Sequence, residues 1–283
     1  MFGSLLRFTE RLVCAAMLGT ALVGCSSVEK TIAPSNFRDW APEQAVLPTA
    51  EIRGSQVTIH NVRNCQFFAK DVYLVGYYDK TFDLDRVRGV DFISVPFAMM
   101  PWLAHTMISF EIAGPDGRPE HLALSVETRK ERDEKYTAWK GSARQYELMY
   151  IFADERDVIQ QRTNFRGEDV YLYRTTATPE AAQSLLVDAI GRANQLAEHP
   201  EFYDTLTNNC TSNLVRHVNR IKPNRITADP RAILPGYADE LAYADGLIER
   251  HGTFLETKRQ AYINPLAVRS ADREDFSEMI RRR

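Results

Sequence analysis

The sequence predicts an α+β fold: an antiparallel sheet with packed helices. Three observations carry that prediction. Residues 104–127 alternate apolar and polar on either side of Gly114-Pro115-Asp116-Gly117, the pattern of a hairpin with strong turn chemistry. Thr178-Pro179-Glu180 is a helix start, with a threonine cap and proline at the first helical position. A second helical spacing begins at Cys210, behind Asn208 and Asn209 as caps, and stops at Pro223.

The N-terminus indicates the compartment. Arg7 and Arg11 give a short positive region, and Leu12 to Gly24 is small, apolar and uncharged. That run is too short to span a bilayer, which takes ~20 residues, and it fits a secretory signal. Leu22-Val23-Gly24-Cys25 has the form of a lipobox: small residues before a thiol that takes a diacylglyceryl group. The expectation is a signal peptide over 1–24 and a palmitate-bearing lipid on Cys25. Ser26, rather than Asp, points to the outer membrane, facing the periplasm. The membrane, through Cys25, is the partner this predicts.

Residues 25–50, with Pro34, Pro42 and Pro48, read as a lipidated tether. Strands are expected around Glu51 to Asn61 and Val72 to Tyr78. Phe92 to Ala104 is apolar but holds Pro96 and Pro101, so it is no spanning helix. It is either core filler, an interface loop or the lining of an apolar groove.

In the hairpin, opposing the apolar sets pairs 108 with 124 and 110 with 122. That register puts His105 opposite Glu127 on the other face. Tyr146 to Phe152 and Asp169 to Arg174 read as further strands, and the segment from Asp154 as a helix. The helix from Pro179 ends near His199-Pro200. In the next one Cys210, Leu214, Val218 and Ile221 share a face, which turns the thiol toward the core. The domain of interest is thus 51–221, with 222–283 as a C-terminal extension whose closing Arg281-Arg282-Arg283 reads as a solvated tail.

Net charge is −3 with pI near 6.1, so composition gives no nucleic-acid footprint. His60, His121, His199, His217 and His251 show no metal-ligand spacing, and no cofactor motif is present. The sharpest feature is Asn208-Asn209-Cys210-Thr211. A cysteine in a first helical turn sits at the positive end of the helix dipole, which favours its thiolate. Such a nucleophile needs a base and the base an orienter; His105 and Glu127 are the candidates. The opposing readings are a core cysteine, a structural histidine, and a Cys65–Cys210 disulfide, which an oxidising compartment permits.

The segments Trp102-Leu103-Ala104-His105-Thr106, Ser125-Val126-Glu127-Thr128-Arg129, Arg144-Gln145-Tyr146-Glu147-Leu148 and Phe202-Tyr203-Asp204-Thr205-Leu206-Thr207-Asn208-Asn209-Cys210-Thr211 resemble the Lnb N-terminal periplasmic domain family, with a weaker likeness over Leu234-Pro235-Gly236-Tyr237-Ala238-Asp239. The resemblance implies a circularly permuted papain-like core, similar to NlpC-type peptidases and lecithin:retinol acyltransferases. It implies Cys210 as nucleophile and His105 as base of a lipoprotein acyltransferase. Glu127 as orienter comes from the hairpin register. Asn209, Trp102 and Tyr203 are expected to bind substrate. The chain departs from the Lnb pattern in having no transmembrane helices after the signal. Three functions follow: a thiol acyltransferase or acyl hydrolase on lipid or lipoprotein, a cell-wall peptidase or amidase, and a non-catalytic envelope lipoprotein. An apolar groove favours the first, a polar cleft the second and a disulfide the third.

Overall fold

The computed structural model describes residues 33–132, 134, 145–227, 229 and 234–282. The signal peptide, Cys25, Arg144 and Arg283 lie outside the described residues. The fold is α+β. Its sheet is built from β1 (Thr49–Arg53), β2 (Gln56–Arg63), β5 (Tyr77–Asp83), β6 (Val87–Phe97), β7 (Met100–Ala113), β8 (Pro119–Arg129), β9 (Glu147–Asp154) and β10 (Tyr171–Arg174). The strand order is β1-β2-β9-β8-β7-β6-β10, with β5 also on β2. All pairs are antiparallel except the single β2–β9 contact at Arg63↔Ala153. A small ribbon, β3 (Gln66–Ala69) with β4 (Val72–Leu74), stands beside it.

Alternation divides the long strands between two cores. Ile108, Phe110, Leu122 and Leu124 face α2 (Pro179–Glu198) and α3 (Cys210–Ile221). Met107, Ala123, Met149 and Ile151 face the other way. There they meet α1 (Glu155–Gln160), its continuation as one π turn (Gln161–Arg166), and the C-terminal helices α6 (Asn264–Arg269) and α7 (Phe276–Met279). Two further helices, α4 (Ala238–Ala244) and α5 (Phe254–Ala261), lie between. Burying each Leu, Ile or Phe contributes roughly 1.5–3 kcal/mol, so both faces stabilise the sheet. No helix among the described residues is long and apolar enough to cross a membrane.

The expected hairpin register holds: Ile108 pairs with Leu124 and Phe110 with Leu122. The predicted helices start where their caps place them, with Thr178 accepting from Ala181 N and Asn209 from Ser212 N. Three expectations need correction. The segment Glu51 to Asn61 is two strands rather than one, because Gly54 in the left-handed region turns the chain. Residues 33–48 do not hang as a tether. Asn36 Nδ2 donates to the carbonyls of Leu196 and Ala197, and Trp40 is buried under the Arg129 guanidinium, 4.2 Å from its ring centre. Nor is the whole arginine tail solvated: Arg282 is exposed, but Arg281 is not. Arg281 reaches the buried carboxylates Asp91 and Glu155 at 2.7 and 2.6 Å, and Ile263, Ala267, Phe276 and Ile280 fill the second core. The extension is therefore part of the fold.

Candidate active site

The nucleophile candidate opens α3. Four amides at a helix start lack intrahelical partners, here those of Asn209, Cys210, Thr211 and Ser212. The Asn209 side chain accepts from Ser212 N at 2.8 Å, while its carbonyl takes the first helical bond, from Asn213 N at 3.1 Å. The Ser212 hydroxyl accepts from Asn209 N in return, which closes a capping box. The amides of Cys210 and Thr211 remain at the positive tip, beside the thiol. Cys210 is 3 % exposed, with Sγ 3.8 Å from the Ala104 carbonyl oxygen. Thr211 holds the helix to β7 through a hydroxyl pair with Thr106 at 3.1 Å. Cys65 and Cys210 are both free thiols, so the disulfide alternative loses its support.

The base candidate comes from the same strand but the opposite face. Ala104 and Thr106 turn toward α3, while His105 turns with Met107 toward the second core. The two sides meet because the sheet parts here. The β7–β8 ladder ends at Met107↔Ser125, whereas β8 continues on β9 through Glu127↔Met149 to Arg129↔Glu147. His105 is paired with Val95 of β6 instead. Glu127 is thus opposite His105 in register but across an opened gap, and a cavity of about 200 Å³ fills that gap. Ala104, His105, Val126, Glu127 and Cys210 all line it.

Ser125 bridges the gap. His105 Nε2 lies 2.8 Å from Ser125 Oγ, and Ser125 Oγ donates to Glu127 Oε1 at 3.0 Å. A hydroxyl has one proton and an ionised carboxylate only accepts. Ser125 therefore accepts from His105, which fixes the proton on Nε2 and leaves the lone pair on Nδ1. The other carboxylate oxygen, Glu127 Oε2, takes the amide of Gln44 at 3.1 Å. Glu127 orients the imidazole through a serine, not directly.

Electrostatics keep this chain in one protonation state. Burial pushes His105 down to about 3, assisted by the nearby Arg162 guanidinium. Burial pushes Glu127 up, but Arg63, His105 and Arg162 outweigh it and hold the carboxyl near 2. Arg162 is 4.0 Å from Glu127 Oε1 and 3.1 Å from Glu168. At neutral pH the site holds a neutral imidazole and an ionised glutamate.

Of the predicted residues, Cys210, His105, Glu127 and Tyr203 line the cavity. Asn209 does not: it is buried, and its side chain is engaged by Ser212 N and the Thr205 carbonyl. Trp102 is half exposed on the β6–β7 hairpin, outside the cavity wall. His217 is a buried structural residue between Tyr150 and Asp188. Sequence reasoning missed Ser125, although two-residue alternation puts it on the face of Glu127. It also missed Gln44 and Arg162, which approach from segments distant in sequence. Among the described residues no cluster of three or more His, Cys, Asp or Glu could hold a metal. The Leu234-Pro235-Gly236 motif closes one side. Pro235 lines the cavity, and a Cβ on Gly236 would lie 2.1 Å from the Pro101 carbonyl oxygen, so only glycine permits that approach.

The model of the Lnb N-terminal periplasmic domain matches residues 74–236. That span contains β5 to β10, α3 and every cavity residue except Glu43, Gln44 and Arg63. No curated protein and no solved structure matches the chain. The chain belongs to the Lnb N-terminal periplasmic domain family, which gives it an envelope location.

Proposed function

Proceeding from that membership, we propose that the protein is an envelope lipoprotein whose Cys210 carries acyl groups as a thioester. Its signal peptide is removed before Cys25, and lipid on that cysteine holds the domain at the outer membrane. The fold is read as a permuted papain-like core, in which the histidine strand precedes the cysteine helix. The observation that supports the chemistry is that Cys210 and His105 line one cavity, with the His105 tautomer set by Ser125 and Glu127.

The steps follow from the groups present. Cys210 Sγ attacks the carbonyl carbon of an ester while His105 Nδ1 takes the thiol proton. The new C–S bond leaves a tetrahedral oxyanion, stabilised by the Cys210 amide at the helix tip. The C–O bond breaks, and the alcohol leaves with the proton from Nδ1. An amine or water then attacks the thioester carbon and gives its proton to His105 Nδ1; the C–S bond breaks, and the departing Cys210 sulfur takes that proton back, restoring the thiol and the neutral imidazole. A lipid or lipoprotein is favoured as donor by the apolar residues around the cavity. Met99, Trp102, Leu206 and Tyr237 are 89 %, 47 %, 59 % and 41 % exposed, each within two residues of a lining residue. Such side chains are suited to a membrane surface.

A second reading is a peptidase or amidase on cell-wall peptides. It draws on the charged lining, with Lys130, Arg162, Arg166 and Glu168 on the cavity wall. The test compares labelling of wild type, Cys210→Ala and His105→Ala by a long-chain acyl thioester, with cell-wall peptides offered in parallel. The proposal expects labelling lost in Cys210→Ala and strongly reduced in His105→Ala, and peptides left intact. Labelling that survives Cys210→Ala overturns it, and peptide cleavage without acyl transfer selects the second reading.

A further inference from the structure

Strand β7 leaves β8 at Met107↔Ser125, and β8 runs on with β9 along one edge. A strand edge that loses its neighbour has backbone donors and acceptors to satisfy. Residues 40–45 take the place that β7 gives up. Ala41 N donates to the Lys130 carbonyl at 2.9 Å, and Trp40 pairs with Glu131 in an antiparallel bridge. Arg129, itself buried, donates to the carbonyls of Gln44 and Ala45 at 2.9 and 2.7 Å. Glu43 and Gln44 thereby become part of the cavity wall. This strap precedes residue 74, where the family match begins.

Within the strap, Gln44 closes a single helical turn, Pro42–Gln44, and is 2 % exposed. Its amide is fully used. Oε1 accepts from Lys130 N at 2.8 Å, and Nε2 donates to the Thr128 carbonyl at 3.0 Å and to Glu127 Oε2 at 3.1 Å. Only one orientation of the amide matches, because Lys130 N is a donor while the other two partners accept. The last torsion of a glutamate is broad, so one hydrogen bond leaves its carboxylate plane loosely set. Here Ser125 meets Oε1 and Gln44 meets Oε2, and the two contacts together fix the plane. The contacts run from Lys130 N through Gln44, Glu127 and Ser125 to His105.

We propose that Gln44 is a positioning residue of the active site, setting the Glu127 carboxylate and, through Ser125, the tautomer and orientation of the His105 ring. The inference rests on His105 acting as base for Cys210. It adds that a segment outside the family-matched span completes the site.

The experiment uses the full chain with Gln44→Met and Gln44→Glu. Gln44→Met keeps the side-chain length and removes both amide donors. The acyl-transfer rate is expected to fall about tenfold or more through the misplaced base. Nitrogen NMR of the His105 ring, recorded without an acyl donor, should show both neutral tautomers in place of the Nε2–H form alone. In Gln44→Glu two carboxyl groups meet at hydrogen-bond distance, and like charges so close retain one proton. Arg63 and Arg162 beside Glu127, with His105 beyond Ser125, keep the charge on Glu127. The introduced carboxyl therefore holds the proton and donates it to Oε2. The rate of Gln44→Glu relative to wild type should be close to one at acid pH and fall as pH rises and that proton is lost. A side chain that only packs would leave the ratio flat. The tautomer is read without turnover, so it decides the inference even where no acyl transfer is seen, which separates its failure from that of the enzymatic reading. A single Nε2–H tautomer in Gln44→Met, or a Gln44→Glu ratio independent of pH, overturns the inference.

Discussion

The two cysteines among the described residues, Cys65 and Cys210, are both buried and free, and their surroundings differ. Cys65 follows the end of β2. Its amide donates to Asp157 at 2.7 Å, and that carboxylate is ion-paired with the buried Arg63. Burial, reinforced by Asp157, pushes its thiol up to about 12. Cys210 begins a helix, with the helix amides rather than a carboxylate beside it, and opens on the cavity that holds His105. Burial and the Asp157 carboxylate together disfavour the Cys65 thiolate.

The sharpest break of this comparison is a pair of substitutions. Cys210→Ala should abolish thioester formation, and Cys65→Ala should leave it, as read by mass of the acylated protein. His105→Ala comes next, with a loss of about 10²–10⁴-fold in acylation rate. Ser125→Ala should lower the rate by about 10²-fold through the lost tautomer control. Cys210 in that variant should still react with a small alkylating reagent, which distinguishes a misoriented base from a misfolded site. Gly236→Ala forces a Cβ into the Pro101 backbone, so it should cost about 1–3 kcal/mol in denaturant unfolding. Its effect on the Cys210 side should exceed that on Cys65 alkylation.

Acid and alkali sharpen the comparison further. His105 is held at about 3 against 6.5, so only the unfolded chain gains its proton as pH falls from 6.5 toward 3. Glu127, near 2 against 4.5, adds the same sign from 4.5 downward. Stability should therefore fall progressively on acidification below 6.5. Cys65 acts at the other end: its thiol ionises more readily unfolded, so stability should fall as pH rises past 9. Thermal unfolding across pH reads both limbs, and Cys65→Ala should flatten only the alkaline one. The smallest effect is that of Arg162→Gln, which should raise the His105 titration toward 6.5, read by imidazole NMR.

Much of this was legible in the sequence because local rules governed it. The hairpin register followed from alternation, and the start of α3 from Asn209 and Pro223. Cys210 and His105 could be paired because residue type and motif agreed. What escaped was non-local. Nothing in residues 104–129 says that β7 leaves β8 at Met107↔Ser125, and that parting alone lets side chains from opposite faces share a cavity. Asn209 was read as a substrate contact, yet its polar atoms are consumed in capping the helix. Gln44 and Arg281 lie in segments that read as tether and tail, and only packing reveals their buried carboxylate partners.

The most direct test of the central claim is to incubate the protein with a dodecanoyl thioester and locate the covalent adduct by tandem mass spectrometry. The account predicts one acyl group on Cys210, its formation slowed at least about 10²-fold by His105→Ala. An adduct on Cys65, or an adduct on Cys210 that forms equally fast without His105, would contradict it.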